Sequence, residues 1–116
     1  MNLVEHFYRV TRMFPREEQY GLTSQIRRAA VSIPSNVAEG HCRRTTKVYA
    51  NHVSIALGSH GELETCVELA SRLGFVSPSD RADLDRDIDA VGRLLSGLYR
   101  SLEEKIKRED ARRPPS

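Results

Sequence analysis

Around Pro34, the polar residues Ser32, Asn36 and Glu39 stand four and three positions apart. That spacing sets them on one face of a helix. A hydroxyl, an amide and a carboxylate on one face could serve as nucleophile, hydrogen-bond donor and general base. The same groups suit a quieter task. Proline lacks an N–H and crowds the carbonyl four residues back, here Ala30, so the helix is expected to kink or break. Ser32 and Asn36 can bond the backbone groups freed there. Glu39 can pair with Arg43 four residues on, or cap the helix that follows. The stripe is read as structural, with Gly40 as its helix stop in the left-handed conformation.

Other chemistry finds little support. None of His6, His41, His52 or His60 has a carboxylate three residues before it, so the ExxH pairs of di-iron bundles are missing. His60 falls on an apolar stripe and reads as a satisfied core or interface histidine. The phosphate-cradling GxxxxGK[ST] is absent, as is any local nucleophile motif. The two cysteines, Cys42 and Cys66, have no zinc spacing and form no disulfide framework. The chain is therefore expected to be no enzyme, with no metal and no cofactor.

Charge is more informative. The net charge is only +2. Residues 23 to 48, however, hold Arg27, Arg28, Arg43, Arg44 and Lys47 against a single acid, Glu39. Residues 49 to 99 are net acidic, and the last stretch is basic again. Arg43, Arg44 and Lys47 would sit at the start of a helix, where free N–H groups and the dipole already attract anions. Phosphates of a nucleic-acid backbone are the natural candidate. The alternative is that Glu39 pairs with Arg43 and the other cations are simply solvated. Only Tyr49 lies close to this cluster in sequence, so contacts to backbone are expected rather than stacking on bases.

The elements that must position these residues are helical throughout. Leu3, Phe7, Val10 and Phe14 form a first stripe, stopped by Pro15. Leu22, Ile26, Ala29, Ile33 and Val37 form a second, ending at Gly40. A third runs from about Thr46 to Leu73, capped by Thr45 and closed by Gly74, with Tyr49, Val53, Ala56, His60, Leu63, Val67 and Ala70 inward. Val48, Ile55 and Leu69 make a second apolar row on that helix. The fourth opens with Ser77–Pro78 and carries Leu84, Ile88, Val91, Leu95, Leu98, Leu102 and Ile106. Gly58 and Gly61 interrupt the third helix at about 1 kcal/mol each relative to alanine. Close approach of another helix, near Ala29 and Ala30, would explain them.

The expected fold is all-α: an antiparallel up-down four-helix bundle with a proline-kinked second helix. The bundle should span residues 1–108, with 109–116 as a flexible C-terminal tail. Helices three and four should each reach roughly 40 Å, and the first only roughly 20 Å. Part of the long hairpin is then left uncovered, which predicts a homo-oligomer unless the second helix covers the gap. With 39% apolar and 29% charged residues the composition is that of a soluble globular domain. The N-terminal MNLVEHFYRV lacks the apolar core of a signal peptide, and no apolar run is long enough to span a membrane. The expected location is cytoplasmic.

The stretch LTSQIRRAAVSIPSNVAEG, residues 22 to 40, resembles the signature of small four-helix-bundle proteins encoded in intervening sequences of bacterial large-subunit ribosomal RNA genes. Its Leu22, Thr23, Gln25, Ile26, Arg27, Arg28, Ala29, Ser32, Ile33, Asn36, Val37, Ala38, Glu39 and Gly40 all fit the pattern. Phe14–Pro15 with Glu17 and Glu18 resembles the lead-in. Ile55–Ala56, Gly58–Ser59 and Glu62–Leu63 resemble the third-helix motif, and Gly74–Phe75–Val76 the closing turn. The resemblance covers about residues 3 to 106. The family is similar to the accessory variability determinant of diversity-generating retroelements. That similarity implies a barrel-like homopentamer with basic surface, working with a reverse transcriptase and its RNA.

Two functions follow as expectations. The first is a non-enzymatic oligomeric accessory protein that binds RNA or DNA backbone through Arg27, Arg28, Arg43, Arg44 and Lys47. The second is a protein-interaction module that docks a partner such as a reverse transcriptase.

Overall fold

The computed structural model describes residues 2–114. Met1, where the expected bundle begins, and Pro115 and Ser116 of the expected tail lie outside the described residues. Four helices follow one another: α1 (Asn2–Thr11), α2 (Leu22–His41), α3 (Thr46–Arg72) and α4 (Pro78–Arg112). A 3-10 turn (Arg16–Glu18) lies between α1 and α2, and no strand occurs among the described residues. The architecture is an all-helical bundle.

Local chemistry accounts for three of the helix ends. The Thr45 hydroxyl accepts from the Val48 N–H at 3.2 Å and starts α3. Ser77 accepts from the Asp80 N–H at 3.1 Å, with Pro78 as the first residue of α4. Gly74, at φ +80°, closes α3. The Phe75 N–H donates to the Ala70 carbonyl at 2.9 Å and the Gly74 N–H to the Ser71 carbonyl at 3.1 Å, the paired bonds of a Schellman stop. Phe75 then meets Phe14 with ring centroids 5.6 Å apart. α1 ends at Thr11, before Phe14, yet Phe14 stays buried in the turn that follows.

The apolar stripes face inward. Leu3, Phe7, Val10, Leu22, Ile26, Ile33, Leu63, Val67, Leu84, Ile88 and Leu95 belong to one core shared by all four helices. Ala50, Val53 and Leu102 form a second, smaller cluster, with Tyr49, Leu98, Tyr99 and Ile106 packed on it. α3 and α4 meet along their length. Glu68 contacts Arg81, His60 bonds the Ile88 carbonyl, and Thr46 bonds Glu109. The molecule is elongated, 59 × 24 × 20 Å.

α1, at ten residues, reaches only about 15 Å, and α4, at 35 residues, about 52 Å. α4 continues beyond residue 108 to Arg112. Where α1 runs out, an apolar groove of about 400 Å³ lies open between α2 and α4, lined by Ile33, Pro34, Val37, Leu94 and Leu98. Leu94 is 73% exposed there. On α3, Val48, Ile55 and Leu69 also stay largely exposed.

Two glycine expectations are corrected. Gly40 does not stop α2 with a positive φ; among the described residues only Gly74 has one. Instead Gly40 is buried inside α2, and a Cβ there would stand 2.8 Å from His52 Cβ and 2.9 Å from Tyr49 Cδ1. It is glycine because α3 comes too close for any side chain. Gly58 and Gly61, expected to admit a neighbouring helix, have nothing within 4 Å of a Cβ. The close approach lies at Gly92 of α4, whose Cβ would stand 2.7 Å from His60 Nε2.

At the hairpin end, Glu68 accepts from Arg72 Nε at 2.9 Å and from Arg81 Nη2 at 2.8 Å. The Arg72 bond, then the Arg81 bond, holds its carboxyl below the ordinary value of 4.5.

Gly40→Ala should cost about 1–3 kcal/mol in urea unfolding, because backbone and ring must move apart. Gly58→Ala should instead stabilise an isolated chain by about 0.5–1 kcal/mol. A loss at Gly58 would mean that another chain packs there. A pH titration of unfolding gives a further check. Because the folded Glu68 value lies below the unfolded one, its contribution holds above the unfolded range and is lost as pH falls through the folded value. Glu68→Gln should flatten that acid limb; an unchanged limb would show that the ion pair is inert.

Candidate functional site

α2 carries the residues that the sequence singles out, and the helix runs unbroken past Pro34. Asn36 Nδ2 donates to the Ser32 carbonyl at 2.9 Å and to Ser32 Oγ at 3.0 Å. Ser59 of α3 donates its hydroxyl to Ser32 Oγ at 2.8 Å. His52, also on α3, lies 3.1 Å from Asn36 Oδ1 through Nδ1. Ser32, Asn36, Ser59 and His52 thus form one chain of hydrogen bonds joining α2 to α3. Ser32 Oγ is occupied by two donors. The arrangement saturates polar groups at a helix contact, as their partial burial demands.

Glu39 does not cap α3, since Thr45 does. It lies 2.6 Å from Arg43 Nη2, with both side chains about half exposed (53% and 52%). Lys47 lies 3.6 Å from Asp110 of α4. Arg44 is exposed and has no carboxylate partner among the described residues. α4 brings acids and bases together to this end: Glu109 and Asp110 share its last turns with Arg108 and Arg112.

Arg27 and Arg28 lie elsewhere. Arg43 follows the end of α2 at His41, and the helix from Arg27 to His41 alone spans about 21 Å. The five candidate cations are therefore two groups. Arg27 lies over the Tyr8 ring, 4.5 Å from its centroid. Its Nε donates to Thr11 Oγ1 at 2.9 Å and its Nη2 to the Tyr8 carbonyl at 3.5 Å. Both Tyr8 and Thr11 belong to α1, so this arginine locks α1 onto α2. Beside it opens a cleft of about 580 Å³, whose walls include Tyr8, Tyr20, Thr23, Ser24, Arg27 and Arg28. Among the described residues no carboxylate lies within ion-pair distance of Arg27 or Arg28. Glu18 shares a neighbouring groove with Arg28.

The two tyrosines are what the sequence reading missed. Tyr8 and Tyr20 fall off every inward stripe, and a large aromatic off the stripe was the available signal. A Cβ on Gly58, beside Ser59 on α3, would meet nothing within 4 Å. His60 is held as a helix-contact histidine, its Nε2 2.7 Å from the Ile88 carbonyl. Burial pushes the Cys66 thiol up, with Glu62 adding to it, whereas Cys42 is exposed. Among the described residues no group of three or more His, Cys, Asp or Glu is placed to hold a metal ion.

The family model described as 23S rRNA-intervening sequence protein matches residues 1–97. The chain belongs to that family. The match holds α1, α2, α3 and the first part of α4, including every residue of the Ser32–Asn36–Ser59–His52 network and both tyrosines. No curated protein matches. Among solved structures, the intervening sequence protein is similar to a protein of unknown function from the S23 ribosomal protein family of Bacteroides thetaiotaomicron VPI-5482, solved at 1.70 Å. The TM-score is 0.72 at 20% identity, over 84% of this chain and 88% of that one. At that identity the likeness concerns the fold. The helical bundle is thus common to both.

The hydrogen-bond chain is testable by a double-mutant cycle. Asn36→Ala should cost about 1–3 kcal/mol and Ser59→Ala about 0.5–1.5 kcal/mol in denaturant unfolding. The double variant should lose less than the sum by at least about 0.5 kcal/mol. Strict additivity would show that Ser32 does not couple them.

Proposed function

We propose that this intervening sequence protein is a non-enzymatic, self-associating accessory protein that binds the backbone of RNA or DNA. Its protomer is an antiparallel up-down four-helix bundle with α2 bent at Pro34, acting in the cytoplasm. The observation that carries this reading is the set of cations on α2 and in the turn after it that are left without carboxylates. Arg27 and Arg28 on α2, and Arg44 in the turn after it, have no ion-pair partner among the described residues. Most other charged side chains on α3 and α4 that make ion pairs do so with a neighbour one turn away. Cations kept apart from acids are available to phosphate.

Self-association is supported by the apolar surface the single chain leaves open. Val48, Ile55 and Leu69 line one side of α3, beside Gly58 and Gly61, which admit close approach. The pentamer comes from the resemblance to the retroelement accessory protein. Five copies would turn a weak basic patch into a strong one through avidity. A second reading, a module that docks a reverse transcriptase or other protein, draws on the apolar groove at Leu94.

Fluorescence anisotropy with labelled RNA tests the first reading. Affinity should fall at least tenfold between about 50 and about 200 mM salt. Arg28→Ala/Arg44→Ala should weaken binding and reduce the salt slope by about one to two. No binding at low salt would sink it and favour the protein-docking reading. Light scattering at micromolar concentration should give a multiple of the 13.1 kDa chain mass; the mass of one chain would refute self-association.

A further inference from the structure

We propose that the cleft between α1 and α2 binds one nucleotide unit of a single strand, with the base on Tyr20 and the phosphate between Arg27 and Arg28. This deepens the nucleic-acid reading above and rests on it. Three features of the cleft carry the assignment.

The first is a prepared cation. Arg27 is pinned by Thr11, by the Tyr8 carbonyl and by the Tyr8 ring. A guanidinium has five N–H donors, and these bonds take two of them. The rest are held in a fixed plane at the edge of the cleft, where a phosphate can take two at once. Arg28 adds an exposed, uncommitted cation one residue on.

The second is an aromatic ring with nothing on it. Tyr20 is 91% exposed, at the mouth of the same cleft. Its ring makes no aromatic or cation contact among the described residues, unlike Tyr8 beneath Arg27. An uncovered ring beside two arginines is the pairing that single-strand sites use: cations follow the backbone and a ring takes a base face.

The third is shape. The cleft is concave, about 580 Å³, with the Thr23 and Ser24 hydroxyls in its wall. That size suits a small organic unit. A duplex keeps its bases stacked inside and offers Tyr20 no base face. The Arg44 end of the molecule lacks this combination. There Arg43 and Lys47 face Glu39 and Asp110, and Tyr49 is engaged edge-on with His41.

The test compares a labelled single-stranded RNA of about 12 nucleotides with the same strand in a duplex. Tyr20→Ala should weaken single-strand binding roughly 5- to 100-fold and leave duplex binding within about twofold. Tyr20→Phe should keep the affinity, since the ring and not the hydroxyl is used. Tyr20 packs on nothing in the core, so folding is preserved, and circular dichroism checks it. Unchanged single-strand binding in Tyr20→Ala, with salt-dependent wild-type binding intact, overturns the cleft assignment alone. Equal losses on single strand and duplex also overturn it. A change in assembled mass on Tyr20→Ala would place Tyr20 in a subunit contact and overturn it too. Absence of all wild-type binding removes both this assignment and the reading beneath it.

Discussion

The close seating of α2 on α3 is the constraint from which the remaining arrangement follows. Small residues serve it: Gly40 carries no side chain where His52 and Tyr49 of α3 approach, and Ala29, Ala30 and Ala56 are buried in the core these helices share. Short side chains draw helix axes together, and a close contact leaves little room for water. Polar atoms in that contact must then find partners on the facing helix. Ser32, Asn36, Ser59 and His52 do so. The polar stripe beside Pro34 is thus a consequence of how near the two helices lie. It also fixes the rotation of α2. With Ile26 and Ile33 turned into the core, Arg27 is carried toward α1.

Unequal helix length is the second determinant. α1 covers the core only as far as its ten residues reach. Beyond it the bundle thins to the α3–α4 pair with the end of α2, and the core there shrinks to the smaller cluster around Val53 and Leu102. A two-layer arrangement of that kind cannot cover both faces of long amphipathic helices. Leu94 stays exposed for this reason, and the groove beside it is apolar.

Much of the fold was legible because its signals are local. Stripe spacing, the Thr45 and Ser77 caps and the Gly74 stop depend on residues within a turn or two of each other. Leu3, Phe7, Leu63, Leu84 and Leu102 are buried where periodicity put them. Gly40 was misread because a glycine near a helix end has two explanations with one local signature. A left-handed stop and a close approach differ only in what lies across the contact. Gly58 failed in the opposite sense, since the close contact it suggested is made by Gly92 and His60, 32 residues apart in sequence. The candidate cations were found, but not their grouping. Lys47 meets Asp110 and Arg27 meets Tyr8 only through tertiary packing.

A net charge of +2 would by itself suggest little attraction for a polyanion. Net charge is the wrong measure for this molecule. Arg27 is separated from the end of α2, beyond which Arg43 and Arg44 follow, by about 21 Å of helix, well beyond a screening length of about 8 Å at physiological salt. Each end therefore acts on its own local balance. Near Arg43 that balance is mixed, because Glu39 and α4's Glu109 and Asp110 come with it. Near Arg27 the cations stand beside tyrosines and hydroxyls, with Glu18 as the one acid in the adjoining groove that shares Tyr20 and Arg28. Most acids lie on α3 and α4, where most of their ion pairs are made within one helix and a few, such as Glu68 with Arg81 and Asp110 with Lys47, join two. Among the described residues α4 also carries cations without an ion-pair partner, such as Arg93, Arg100 and Lys105, whereas Arg27 and Arg28 stand where α1, α2 and the turn between them form a concave surface.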